Sequence, residues 1–156
     1  MSLSGKVQTV LGLVEPSCLG CTLTHEHLKM DYKNCYRAPR RKCDIEKGKY
    51  PGITLETVGW VRQNPYSHIF NLCFGDEPKE DIIKEVYLFK EEGGSTICEC
   101  TTTGISRSVA FCKDVSEATG VNVIVGTGFY IDHTLSAEVK SLTVEQMAQV
   151  SYKSFP

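Results

Sequence analysis

Long apolar runs are missing from this 156-residue sequence. None approaches the roughly 18 consecutive apolar residues of a membrane-spanning helix, so no membrane partner is expected. The start, Met1 to Val7, lacks the continuous apolar core of a secretory signal, which makes a cytoplasmic protein the expectation. An excess of either charge is also missing. Seventeen Lys and Arg stand against 19 Asp and Glu, a formal net charge of -2. That balance removes the electrostatic case for a nucleic-acid partner. The one basic cluster, Arg37, Arg40, Arg41 and Lys42, surrounds Ala38 and Pro39 without helical periodicity. It reads as a solvated loop.

What is present is ordinary globular composition, 41% hydrophobic and 23% charged, with eight cysteines. In a reducing compartment cysteines act mostly as small buried hydrophobes rather than disulfide partners. Cys18-Leu19-Gly20-Cys21 lies just upstream of two histidines, so a Cys2His2 zinc module can be drawn from Cys18, Cys21, His25 and His27. The spacing after Cys21 is far shorter than the dozen or so residues of the usual finger. Cys98 and Cys100 share one face of a strand-like run and read as packing.

Histidine is scarce, four residues in all, yet two of the four stand in Thr22-Leu23-Thr24-His25-Glu26-His27-Leu28. On a strand, residues i and i+2 share a face. His25 and His27 therefore project together and Glu26 the opposite way. Two imidazoles on one strand form half of a site for a borderline-soft metal such as zinc. Two surface histidines in a polar loop would have the same spacing.

Lys6 to Leu13 reads as a strand, and the turns at Glu15-Pro16-Ser17 and Gly20 make the opening a hairpin feeding the histidine strand. Residues 29–78 hold four of the six prolines and little periodicity. A long excursion after such a strand either builds the walls of a site or is a poorly ordered insertion. Within it, Thr54 caps a short helix over Leu55 to Asn64 that presents Leu55, Val58 and Val61.

From there the pattern is regular. A helix over Glu77 to Glu92 has an acidic first turn and buries Ile82, Val86 and Phe89, with Gly93 and Gly94 as its stop. Strands follow over Ser95 to Thr101 and Val121 to Gly126, separated by a helix over Arg107 to Thr119. A last helix opens at Thr143, where Gln146 completes a capping box. Alternation of this kind predicts parallel β/α units. The carboxyl edge of the sheet is then the functional face. Thr103 and Tyr130 follow the second and third strands on that edge. They are candidates for a substrate-pocket wall, or ordinary loop residues.

The blocks Val7 to Gly12, Gly20 to Leu28, Thr101 to Arg107 and Gly126 to Tyr130, in that order, resemble the phosphotriesterase family of the amidohydrolase superfamily. The resemblance implies a (β/α)8 TIM barrel with two zinc ions at its carboxyl face, His25 and His27 holding one of them. It also implies a small-molecule substrate, in one branch an N-acyl compound such as N-acetyltaurine, attacked by a metal-bound hydroxide. A barrel needs about 200 residues or more, and only three barrel strands are recognisable here. The expectation is a single partial domain over 1–156: the amino-terminal portion of an incomplete barrel, poorly stable and catalytically silent alone, the alternative being a non-catalytic truncated isoform or a fragment that binds a partner. His68 and His133 do not stand where later metal-binding histidines belong, and both read as surface or loop histidines.

Overall fold

A computed structural model describes residues 5–74 and 79–153. The opening segment folds back on itself: β1 (Val7–Thr9) and β2 (Gly12–Val14) pair antiparallel with Val7 opposite Val14. The single strand expected over Lys6 to Leu13 is thus split by a turn at Val10 and Leu11. Thr9 closes that turn, its hydroxyl donating to Gly12 O at 2.8 Å and accepting from Leu11 N–H at 3.2 Å. Gly12 takes φ +123° there, a conformation that side chains resist. Val10 N–H then donates to Val123 O at 2.9 Å, which docks the hairpin on the main sheet.

The chain continues as β3 (Cys21–Glu26), β4 (Met30–Asp31), α1 (Ile45–Lys49), α2 (Leu55–Gln63) and β5 (Cys73–Phe74). It goes on as α3 (Lys79–Glu91), β6 (Gly94–Glu99), α4 (Val109–Thr119), β7 (Asn122–Val125), α5 (Ala137–Lys140) and α6 (Val144–Lys153). The expected start of the third helix at Glu77 lies outside the described residues. Ser108 caps α4 by accepting from Phe111 N–H, and Gly120 ends it in the left-handed region at φ 68°. Thr143 and Gln146 form the expected reciprocal cap of α6, at 2.8 and 3.3 Å.

β3, β6 and β7 form one parallel sheet in that order, with Glu26 beside Glu99 and Glu99 beside Val125. The architecture is α/β. Among the described residues this sheet remains open and no barrel closes. One core holds it to α3 and α4: Ile97, Val121 and Val123 from the sheet side, Val86 from α3, and Phe111, Cys112 and Val115 from α4. Burial leaves no exposure at Val115 or Val123, and burial pushes the Cys112 thiol up to about 12. Cys112 therefore behaves as a small hydrophobe, but the expectation that most of the cysteines would be buried fails: only Cys35 and Cys112 are, while Cys18, Cys21 and Cys43 are exposed and Cys73, Cys98 and Cys100 half-buried.

The excursion after β3 returns to where it left. β4 and β5 pair antiparallel, Met30 opposite Phe74 and Asp31 opposite Cys73. Inside it, one sequence expectation fails and another holds only in part. Leu55 is 92% exposed while Val61 is 3% exposed, so α2 buries its last apolar position rather than its first. Leu55 is the first helical residue and points off the end that Thr54 caps. His68, read as a surface or loop histidine, does lie in the loop between two short turns but is completely buried. Its ring meets those of Trp60 and Phe70, centroids 6.4 and 5.9 Å away.

Candidate metal centre and pocket

His25 and His27 come together as strand alternation requires. They leave the carboxyl end of β3 with ring centroids 5.5 Å apart and planes at 74°. Both line one open cavity of about 410 Å³, and Glu26 does not. Tyr32, Tyr66 and Tyr130 line the same cavity, with Met30, Leu72 and Ile105 supplying apolar surface. The excursion thus builds most of the wall. Its Tyr32 ring meets those of Tyr66 and Tyr130 at 6.2 and 5.9 Å.

The loops after β6 and β7 complete the edge. Arg107 ties them together, its guanidinium donating to Gly126 O at 2.6 Å. Thr103 opens the short turn Thr103–Ile105. The side chain of Thr103 is exposed, and it is Ile105 from this turn that lines the cavity. A Cβ on Gly104 would stand 2.5 Å from Thr134 O, so only glycine lets the turn pack this closely. Cys100 also reaches the cavity. Burial raises its thiol pKa, so it contributes a neutral wall.

His27 is fixed by a hydrogen bond: its Nδ1 lies 2.9 Å from Thr101 Oγ1. The Thr101 hydroxyl in turn donates to the carboxylate of Glu99, which is 1% exposed. Sequence reasoning passed over both residues. The signal was there, since Glu99 and Thr101 have the same i, i+2 spacing at a strand end as His25 and His27.

The other candidates lie elsewhere. Cys18 and Cys21 are exposed thiols at the amino end of β3. Cys21 is six residues from His27, about 20 Å along an extended strand. Among the described residues no three His, Cys, Asp or Glu side chains gather to hold a metal, which removes the Cys2His2 module. His133 is exposed and pairs with the buried Cys35, Nε2 to Sγ 3.0 Å, and it does not line the cavity of the two imidazoles. No helix among the described residues is long and apolar enough to cross a membrane.

Comparison with known proteins places the chain. The family model of the phosphotriesterase family matches residues 5–154. The chain is 54% identical to the phosphotriesterase-related protein of Nematostella vectensis, covering 94% of this chain and 42% of that protein. It is 50% identical to the N-acetyltaurine hydrolase of Homo sapiens, covering 96% and 42% respectively. It thus spans well under half the length of these curated relatives. Among solved structures, a resiniferatoxin-binding protein from Rhodobacter sphaeroides superposes with a TM-score of 0.89 at 30% identity. That match covers 94% of this chain and 40% of the other. An organophosphorus hydrolase from Deinococcus radiodurans gives 0.51 at 25% identity, over 81% and 29%. The three parallel strands are therefore one segment of the family's barrel fold, and the chain belongs to the phosphotriesterase family.

Proposed function

We propose that residues 1–156 form a partial domain supplying the first-strand half of a two-zinc centre in a hydrolase of small N-acyl substrates, N-acetyltaurine foremost. The observation that carries this is the convergence of His25 and His27 on one cavity at the carboxyl edge of the parallel sheet. The names of the 50%-identical relatives support the substrate. Two imidazole nitrogens suit zinc, so the donors fit such a group as far as they go. Bound zinc would polarise the scissile carbonyl and make water acidic enough to attack it.

The chain's own residues then have separate tasks. His25 and His27 hold one metal. Tyr130 forms pocket wall with Tyr32 and Tyr66, while Thr103 stands exposed on the turn that brings Ile105 to the cavity. Met30, Leu72 and Ile105 offer an apolar surface to an acyl group and keep water off it. Glu26 stays outside and moves no proton. With two imidazoles in place of a full ligand set, these 156 residues alone do not turn substrate over.

The test is release of taurine from N-acetyltaurine, measured with zinc and after chelation. One sample is this chain; the other is this chain continued with the remaining residues of the human relative. Zinc-dependent release from the longer protein only, abolished by His25→Ala/His27→Ala, is expected. Zinc-dependent release by the 156-residue chain alone would refute the division of labour. Release that survives chelation would refute the metal centre.

A further inference from the structure

Glu99 ends β6 with 1% of its surface exposed, and a carboxylate so buried persists only where donors meet it. Three do. Leu28 N–H reaches Oε1 at 3.4 Å, Thr101 N–H reaches Oε2 at 3.2 Å, and the Thr101 hydroxyl donates to Oε1. A hydroxyl has a single proton, and this one is committed to Glu99. The oxygen therefore presents a lone pair to His27 Nδ1, 2.9 Å away. Neutral His27 must carry its hydrogen on Nδ1 to make that bond, which leaves the Nε2 lone pair free.

We propose that Glu99 and Thr101 are positioning residues that hold His27 in the Nδ1–H tautomer, its Nε2 presented to a divalent cation such as zinc. This rests on His25 and His27 being metal ligands. Histidines that bind metals commonly donate their other ring nitrogen to a carboxylate, carbonyl or water, which sets tautomer and ring orientation. Here a threonine hydroxyl stands between imidazole and carboxylate. Among the described residues the His25 ring has no such hydrogen bond, so the relay acts on one histidine of the pair. The competing role for Glu99 is a latch: through Leu28 N–H it fastens the end of β3 to β6.

The test uses the 156-residue chain, zinc alone as ligand, and two readouts. One is the His27 tautomer from ¹⁵N shifts of the apo protein, at a pH above the imidazole titration range. The other is zinc affinity by competition with a chromophoric chelator. Thr101→Ser keeps the hydroxyl and is expected to match the parent in both. Thr101→Val keeps the shape, and is expected to mix the tautomers and weaken zinc binding about 10- to 100-fold. Should Thr101→Val fail to fold by circular dichroism, Glu99→Gln decides: it keeps an acceptor for Leu28 and is expected to lose about 10-fold in zinc affinity. Parental tautomer and parental affinity in the folded variant would overturn the relay and leave Glu99 as a latch. A tautomer lost in Thr101→Val, with no zinc bound by any variant, would uphold the positioning and refute the metal reading instead.

Discussion

Tyr32 and Tyr130 stand edge to face, ring centroids 5.9 Å apart and planes at 62°. One belongs to the start of the excursion and the other to the loop after the third parallel strand, so this contact joins the two sides of the cavity. The hydrogen bond to Cys35, then burial, then a hydrogen bond to Tyr130 hold the Tyr32 hydroxyl above its ordinary value of 10.0. A group whose pKa is raised by folding adds stability below its unfolded value and loses it as pH climbs through the folded one. Stability should therefore fall from about pH 10 upward, and less steeply in Tyr32→Phe. Urea midpoints across the alkaline range check this. At neutral pH Tyr32→Leu should cost about 1 kcal/mol from the lost aromatic pair.

Asp44 behaves in the opposite sense. It is 3% exposed, and its pKa is lowered from 3.8, first by the Lys47 ammonium and also by the Arg41 guanidinium. Their nitrogens lie 3.0 and 2.8 Å away. A depressed carboxylate adds stability above its unfolded pKa, and that contribution is lost as pH falls through the folded value. The excursion should loosen below pH 3.8. Limited proteolysis by pepsin at acidic pH checks it, with Asp44→Asn already cut faster near pH 5 and showing a flatter acid dependence.

Burial decides which aliphatic positions matter. Val123→Ala empties a fully buried site between the sheet and α4 and should cost about 2 kcal/mol. Leu55→Ala, at a position 92% exposed, should stay within about 0.5 kcal/mol. Equilibrium denaturation of the two variants separates them. A larger cost at Leu55 would restore the apolar helix face that the sequence pattern predicted.

The parallel units were legible because their periodicity is local: Val86, Val115 and Val123 recur at the spacing their elements require. The histidine pair was legible for the same reason, since alternation on a strand needs no partner to define it. The excursion was not. His68 is buried and meets the rings of Trp60 and Phe70, and Leu55 is exposed because of where a cap stops the helix; neither follows from hydropathy at the residue itself. The split of the first strand is set by a Thr9 side chain bonding its own backbone, which competes with extension in a way a run of β-formers hides. Glu99 and Thr101 were missed because their meaning lies in a third residue, His27, 74 positions from Thr101.

In the proposed metal centre His25 and His27 are the ligands and Cys18 and Cys21 are not. Zinc affinity of the 156-residue chain, measured by chelator competition for the parent, Cys18→Ser/Cys21→Ser and His25→Ala/His27→Ala, decides between the two pairs. The cysteine variant should bind as the parent does. The histidine variant should lose more than about 100-fold, beyond what removing an outer hydrogen-bond partner costs. Undiminished binding without the two histidines, or binding lost with the two cysteines, would contradict that assignment.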